Sequence, residues 1–161
     1  MVSKDQFRTT MSKFATGVTV ITTIDENGQP HEMTANSFTS VCLEPPTILV
    51  CAGHTTNSFG YLDKNKKFGV NILSTGQQEL GAYFAKRPEQ QDGSAVYSYA
   101  YGDSELPILE GSLVFMGCNV VGEHIYGDHT IFVGEVEELM VAPDDSPLLF
   151  FDSKWYDPSS S

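Results

Sequence analysis

The sequence MTANSFTSVCLEPPTILVC, residues 33–51, connects two predicted strands through a run of small polar residues. The segment at its end, Thr47–Ala52, which runs one residue beyond it, has the length and apolar content of a buried strand. The polar side chains that precede it fall close together: Thr34, Asn36, Ser37, Thr39 and Ser40. Such a connection is either an ordinary polar turn or a set of hydrogen-bonding groups that holds a polar, planar ligand. Sequence features elsewhere in the chain are needed to distinguish these two interpretations.

The segment just before this stretch predicts a β-hairpin. Val18–Ile24 is rich in β-branched residues, which favour strands. Asn27 and Gly28 follow, and Asn-Gly is the strongest short hairpin signal. We therefore expect Pro30–Ala35 to be the returning strand.

The whole chain predicts a mainly β fold with helices. Further strands are predicted at Phe68–Leu73, Gly111–Gly122, Thr130–Val141 and Leu148–Phe151. Helices are predicted at Ser3–Ala15, where Ser3 and Gln6 form a capping box, and at Asn57–Asp63 and Thr75–Phe84. Short turns join most strands, which favours an antiparallel barrel or sandwich decorated by helices. We expect a single domain over residues 1–161, with an N-terminal helix within 1–15 and a frayed tail at 157–161.

Residues 85–110 show no clear period and are predicted to form a long loop. Long loops in compact domains often carry function, and this one contains Tyr97, Tyr99 and Tyr101. These tyrosines either line a site or pack down onto the domain.

Composition excludes several classes of partner. The net charge is −12, which argues against nucleic acid and anionic membrane surfaces. No apolar run approaches the roughly 20 residues that span a bilayer. The N-terminus lacks the pattern of a secretory signal. Cys42, Cys51 and Cys118 are odd in number and lie in apolar surroundings, so we expect reduced, core-type thiols and a cytoplasmic protein.

The usual catalytic motifs are missing from the sequence. His124 and His129 flank a turn, but a third metal ligand would have to come from afar, so no metal is expected. No Gly-x-Ser-x-Gly elbow and no glycine-rich phosphate loop occur. Polar residues at strand ends remain as the candidate binding groups.

A second polar stretch, AGHTTNSF at residues 52–59, follows a predicted strand and leads into a predicted helix. Hydroxyl groups and free amides at a helix N-terminus suit an anion such as phosphate. Thr55, Thr56 or Asn57 can equally serve as the helix cap.

Several segments in order resemble the short-chain flavin reductases, the reductase components of two-component flavin-dependent monooxygenases. They are FATGVTVITT (14–23), MTANSFTSVCLEPPTILVC (33–51), KFGVNIL (67–73), GDHTIFVGEV (127–136) and PLLFF (147–151). The resemblance implies an antiparallel split β-barrel of the FMN-binding type that works as a homodimer. It also implies an enzyme that oxidises NADH or NADPH, reduces FMN or FAD, and passes the reduced flavin to a partner monooxygenase.

The same resemblance implies a set of site residues. Those expected at the flavin ring are Thr34, Ala35, Asn36, Ser37, Ser40 and Cys51. Those expected near the flavin phosphate are His54, Thr55, Thr56, Asn57 and Ser58. His129 is expected at the nicotinamide, and Phe84 and Tyr156 as walls of the pocket. Relatives often have a basic residue in the phosphate-binding stretch, and we expect Lys86 and Arg87 to replace it here.

This reading agrees with the chemistry of flavin reduction. Hydride transfer from nicotinamide C4 to flavin N5 develops negative charge near N1 and the C2 carbonyl, where preorganised donors stabilise it. The cofactors carry the reaction, so no general base is required. Two alternatives stay open: a non-catalytic flavin carrier of the same fold, and a relative of the barrel that handles pyridoxal phosphate or haem.

Overall fold

The computed structural model describes residues 1–142 and 146–158, which form three α-helices and twelve strands. The helices are α1 (Lys4–Met11), α2 (Asn57–Asn65) and α3 (Gln78–Phe84). The strands are β1 (Thr16–Gly17), β2 (Thr19–Ile24), β3 (Pro30–Ala35), β4 (Phe38–Leu43), β5 (Pro46–Gly53), β6 (Lys67–Ile72), β7 (Tyr99–Tyr101), β8 (Pro107–Leu109), β9 (Val114–Tyr126), β10 (His129–Val141), β11 (Leu149–Phe151) and β12 (Lys154–Tyr156). The predicted frayed tail at 157–161 falls mostly outside the described residues.

Seven strands form one antiparallel sheet in the order β3-β2-β6-β9-β10-β5-β4. The two outermost strands, β3 and β4, are consecutive in the chain and only Asn36 and Ser37 lie between them. An extended chain covers about 3.3–3.6 Å per residue. Two edges joined by so short a segment must therefore lie side by side, which requires the sheet to curve round on itself. The two edges are not paired with each other, so the predicted antiparallel split barrel is confirmed.

Strand β4 is a feature that the sequence did not predict. Residues 38–43 were expected to belong to a polar connection, but they pair antiparallel with β5. Five of the six residues in β4 are exposed, so the strand lacks the apolar alternation that marks a half-buried strand. Phe38 is the exception and packs against the barrel core.

The barrel core is built from aromatic and β-branched side chains. Val50, Phe68 and Phe132 are completely buried within it. A Cβ atom on Gly134 would lie 2.6 Å from Cζ of Phe68, so β10 carries a glycine where that ring crosses it. A second cluster packs α3 against the barrel through Tyr83 and Phe84.

Local signals in the sequence are confirmed in several places. The β2–β3 hairpin turns at Gly28, which has a φ of +75°. The capping box of α1 is present, because Ser3 Oγ accepts from the Gln6 amide and Ser3 N donates to Gln6 Oε1. The helix ends at Met11, earlier than expected, and buries no residue against its own chain.

The structure of residues 85–110 differs from a simple loop. It contains the small hairpin β7–β8, which pairs Tyr99 with Leu109. Tyr97 lies against Phe84 with ring centroids 5.0 Å apart, and the Tyr99 hydroxyl donates to Glu32. Tyr99 is therefore half-buried, whereas Tyr97 makes ring contacts but remains exposed, as does Tyr101.

The connection predicted at 123–129 is also mostly strand. Strand β9 runs to Tyr126 and β10 starts at His129, which leaves Gly127 and Asp128 as the turn. Gly127 has a φ of +59°, the left-handed conformation that such a tight turn requires.

The three cysteines are free thiols, but they do not share one environment. Cys118 is buried, and burial raises its pKa to about 12. Cys42 lies exposed on the edge strand β4, so the expectation that all three are core-type thiols is wrong. Among the described residues, no helix is both long and apolar enough to cross a membrane.

Candidate active site

One continuous cleft, called here the β3 cleft, runs along the edge strand β3. It consists of two cavities of about 350 and 320 Å³ that share Met33, Thr34, Thr55 and Thr56 in their walls. Its helix end lies between the N-terminus of α2 and the segment after α3. Its turn end lies beside the turn that joins β9 to β10. The residues that line only the helix end include His31, Glu32, Asn57, Ser58, Phe84, Lys86 and Arg87. Those that line only the turn end are Ala35, Ser37, Cys51, Gly53, Asp128 and His129.

The start of α2 shapes the helix end of the cleft. Thr56 is the N-cap, because its Oγ accepts from the Phe59 amide at 3.2 Å and donates to the Gly53 carbonyl at 2.8 Å. The cap interpretation of Thr56 is thereby confirmed. A cap satisfies only part of the first turn, whose remaining amides and helix dipole still favour an anion.

Positive charge is concentrated at the same end. Lys86 and Arg87 follow the C-cap residue of α3, Ala85, and are exposed there. Apart from histidines, they are the basic residues that line the β3 cleft in the part of the chain that the structure describes. The protein has a net charge of −12, so this end of the cleft, with two adjacent cations, differs from the negative charge of the whole chain.

His31 is a lining residue that the sequence reasoning missed. Its Nε2 lies 2.8 Å from Ser58 Oγ, and its ring packs edge-on against Tyr61 at 4.8 Å. Burial lowers the pKa of His31, although Asp25 and Glu26 act in the opposite direction. The ring is therefore a neutral partner of Ser58 near pH 7.

Glu32 is a second lining residue that was missed, and its carboxylate faces Tyr99 rather than α2. Neighbouring side chains in a strand face opposite sides, so His31 faces α2 whereas Glu32 accepts the Tyr99 hydroxyl. Burial raises the pKa of Glu32, and the hydrogen bond from Tyr99 partly opposes that shift. No local sequence signal places Tyr99, far along the chain, beside this strand.

His129 lies at the turn end, opposite Gly53 in the pairing of β10 with β5. A Cβ atom on Gly53 would be 3.4 Å from His129 Nε2, so the glycine leaves space for the ring. His129 Nδ1 lies 2.7 Å from Asp128 Oδ1, and this bond lowers the pKa of Asp128. The Asp128 carbonyl in turn accepts from the His54 amide at 2.9 Å. The imidazole is thus held from one side, and its other nitrogen borders the cleft.

The polar stretch that contains Thr34 and Ser37 is already partly hydrogen-bonded within the chain. Thr34 Oγ donates to the Gly81 carbonyl at 2.7 Å and fastens β3 to α3. Ser37 Oγ donates to the Cys51 carbonyl at 3.2 Å. In this arrangement both hydroxyls offer a ligand an acceptor oxygen. Donors to a ring edge would come from main-chain amides at Asn36 and Ser37, which lie between the paired segments.

Four predicted site residues do not line the β3 cleft of the single chain. The Asn36 side chain borders a separate cavity of about 130 Å³, beside β1 and β2. Ser40 is exposed on β4, and Tyr156 is exposed on β12. The His54 ring is bonded to the Thr130 hydroxyl at 3.0 Å and packs against Phe59. Their roles at a flavin stay predictions.

Neither metal nor thiol chemistry is favoured here. The described residues contain no group of three or more His, Cys, Asp or Glu side chains that could hold a metal ion. Cys51 lines the turn end, but burial raises the pKa of its thiol and so lowers its reactivity at neutral pH. The cleft offers binding and orienting groups, as a cofactor-dependent reaction requires.

Known proteins resemble this chain over nearly its full length. The chain is 36% identical over 150 residues to the flavin-dependent monooxygenase reductase subunit HsaB of Rhodococcus jostii (strain RHA1), which covers 93% of this chain and 75% of that protein. It is 37% identical over 149 residues to flavin reductase (NADPH) of Lentzea aerocolonigenes, with 92% and 86% covered.

The fold is shared with a solved structure of a related enzyme. The NADH:FAD oxidoreductase SgcE6 of Streptomyces globisporus C-1027, in complex with NAD and FAD fragments, matches with a TM-score of 0.86 and 31% identity. That match covers 99% of this chain and 96% of the other. A family model described as the flavin reductase like domain matches residues 11–159. With its split barrel and its cleft beside β3, the chain therefore belongs to the flavin reductase-like family of NAD(P)H-dependent oxidoreductases.

Proposed function

We propose that this oxidoreductase transfers a hydride from NADH or NADPH to FMN or FAD in the β3 cleft. One observation carries the assignment: a single cleft joins an anion-attracting helix end to a turn end that holds an oriented histidine. When bound, the flavin supplies the electron-accepting ring and the nicotinamide supplies the hydride. The residues of the chain bind and orient both molecules.

The helix end is assigned to the flavin phosphate. First-turn amides of α2 and the side chains of Thr55 and Asn57 provide donors, and Lys86 and Arg87 provide charge. Phe84 is buried and contributes an apolar wall. This donor set suits a phosphate ester and needs no glycine-rich loop.

The turn end is assigned to the ring system and the nicotinamide. Ala35 is small and buried, so it allows a flat ring to approach β3 closely. His129 orients the nicotinamide, since its Asp128 partner holds the imidazole in place. Positioning of this kind can supply a large share of the rate enhancement, because the entropic cost of bringing the two molecules together is already met when they bind.

We further propose that the reduced flavin passes to a monooxygenase component. This follows from the reductase subunit to which the chain is 36% identical. The net charge of −12 favours a partner whose docking face is neutral or basic. A cytoplasmic location is proposed because all three cysteines are free thiols.

A homodimer is proposed from the apolar surface of the single chain. Val121, Ile125 and Tyr126 are exposed along β9, close to the turn end of the cleft. The edge strand β4 adds Val41 and Leu43. Exposed apolar side chains and an unpaired edge strand are features that a second copy can cover.

The test is oxidation of NADH and of NADPH, followed by nicotinamide absorbance, with FMN, FAD or riboflavin added. We expect oxidation that saturates with flavin and a clear preference for one nicotinamide. Lys86→Ala combined with Arg87→Ala should weaken FMN binding by about tenfold, or about 1.4 kcal/mol, and leave riboflavin binding unchanged.

A matched control is Lys154→Ala, an exposed lysine on β12 outside the cleft. This variant should leave the affinities for FMN and for riboflavin unchanged. Flavin binding without nicotinamide oxidation, with every flavin and nicotinamide pair, would contradict the reductase assignment and leave a flavin carrier.

A further inference from the structure

We propose that His31 is a positioning residue that responds to the charge of the flavin phosphate. On binding of a dianionic phosphate ester at the helix end, His31 takes up one proton from solvent and directs the Ser58 hydroxyl toward the ligand. This inference rests on the proposed function, because it needs a phosphate at the helix end of the β3 cleft.

The geometry connects the histidine to the start of α2. His31 lies in β3 opposite Thr23, and its Nε2 is 2.8 Å from Ser58 Oγ. Ser58 is the second residue of α2 and only 5% exposed. Both residues line the helix end of the cleft. A charge placed there therefore acts on the imidazole directly and through the hydroxyl.

In the ligand-free chain the surroundings keep the imidazole neutral near pH 7. Its ring packs edge-on against Tyr61 of α2, and burial lowers its pKa. Asp25 and Glu26, in the turn between β2 and β3, favour the protonated form but do not overcome the burial. An additional negative charge on the cleft side would favour the protonated form, as Asp25 and Glu26 do, and would raise the pKa of His31.

The remaining charged groups at the helix end come from two elements. Lys86, Arg87 and Glu89 line it from the segment after α3, and Glu32 lines it from β3 itself. The two cations supply the positive charge that attracts a dianion to this end of the cleft. A bound dianion neutralises them and faces His31 with negative charge, and an opposite charge within about 4–6 Å raises a histidine pKa by roughly 1–3 units.

The proton changes the direction of one hydrogen bond. In neutral imidazole one nitrogen accepts, so Nε2 can accept the Ser58 proton. In imidazolium both nitrogens donate, so Nε2–H must donate to Ser58 Oγ. The Ser58 hydroxyl hydrogen is then free to point at a phosphate oxygen. The net change is one proton taken from solvent for each dianion bound, with no covalent bond of the ligand altered.

The experiment compares FMN with riboflavin, which lacks the phosphate, by fluorescence quenching between about pH 6.5 and 8.5. This window lies above the second pKa of a phosphate ester, about 6, so the dianion is the main form of FMN throughout. A group whose pKa rises on binding strengthens binding at low pH and loses that effect as pH rises. The preference for FMN over riboflavin should therefore fall as the pH rises across the window, by about two- to fivefold for a pKa shift of one unit, because the window begins above the pKa of His31 in the ligand-free chain.

Two variants make the comparison specific. His31→Gln keeps a group that can bond to Ser58 but cannot titrate, so its preference for FMN should not change with pH. His124→Gln alters an exposed histidine of β9 outside the cleft and should retain the full pH dependence. A preference that is flat in the wild-type protein, or equally steep in His31→Gln, would overturn the inference.

A measurement on the wild-type protein alone removes any dependence on how well a variant folds. Calorimetry near pH 7, in two buffers of different ionisation enthalpy, should show proton uptake with FMN and none with riboflavin. Equal uptake with both ligands, or none with either, would overturn the role of His31. Equal affinity for FMN and riboflavin at every pH would instead overturn the phosphate assignment, and binding of neither would overturn the proposed function.

Discussion

His129 is the first residue of β10, directly after the turn from β9, and it lines the turn end of the β3 cleft. Its Nδ1 is bonded to Asp128, and its ring lies over Gly53 of the neighbouring strand. A side chain fixed on one side and open on the other can orient a ligand at little entropic cost. The same geometry also suits a histidine that only stabilises its turn, so kinetics must separate the two roles.

We predict that His129→Ala lowers kcat/KM for the nicotinamide by about tenfold, the effect of losing one hydrogen bond of about 1.4 kcal/mol. The flavin dissociation constant should not change, because the flavin phosphate is held at the opposite end of the cleft. Steady-state kinetics with varied nicotinamide and a flavin titration measure the two quantities. His124→Ala, on the same hairpin but outside the cleft, serves as the control; unchanged kinetics in His129→Ala would leave only the turn role.

At the scale of elements, close approach between a strand and buried side chains explains one glycine of the barrel. A Cβ atom on Gly69 of β6 would lie 2.4 Å from Thr22 Oγ and 2.6 Å from Phe115 Cε2. Both neighbours are buried and cannot move freely. Gly60, in α2, has nothing within 4 Å of the same position.

We predict that Gly69→Ala lowers the free energy of unfolding by about 1–3 kcal/mol, the usual effect of overpacking a core. Gly60→Ala, the matched control, should raise it by about 0.5–1 kcal/mol, because alanine favours a helix over glycine. Urea denaturation followed by circular dichroism measures both. Equal stability of the two variants would contradict the packing described around β6.

For the whole molecule, the apolar surface near the turn end is the feature that the single chain leaves uncovered. Ile125 of β9 is 73% exposed and lies opposite Thr130 in the hairpin. Helix α1 likewise exposes Phe7 and Met11, and Phe14 is exposed just after it.

We predict a wild-type particle of two 17.7 kDa chains and a single 17.7 kDa chain for Ile125→Asp. A buried carboxylate at a symmetric interface faces its own copy without a partner, which opposes association. Sedimentation velocity at micromolar concentration measures the mass. Val96→Asp places the same charge at a side chain that is 94% exposed in a different segment and should leave the dimer intact; a wild-type monomer would contradict the proposed interface.

Short-range patterns in the chain were enough to predict most of the elements. The Asn27-Gly28 hairpin, the capping box at Ser3 and the helix cap near Thr56 each depend on a few neighbouring residues. The order and spacing of five longer segments also indicated the split barrel and its family. These features follow from the sequence because local backbone chemistry and periodicity specify them.

Packing between segments that are distant in the sequence determined the features that short-range patterns did not predict. Strand β4 has no apolar alternation, so its existence depends on the free edge that β5 offers. His31 and Glu32 read as ordinary strand residues, and they enter the cleft because β3 lies at the barrel's open edge between α2, α3 and the β7–β8 hairpin. Cys42 is exposed for the same reason, since it lies on the other edge strand. Which residues face a cleft depends on contacts between distant segments, and no window of neighbouring residues contains that information.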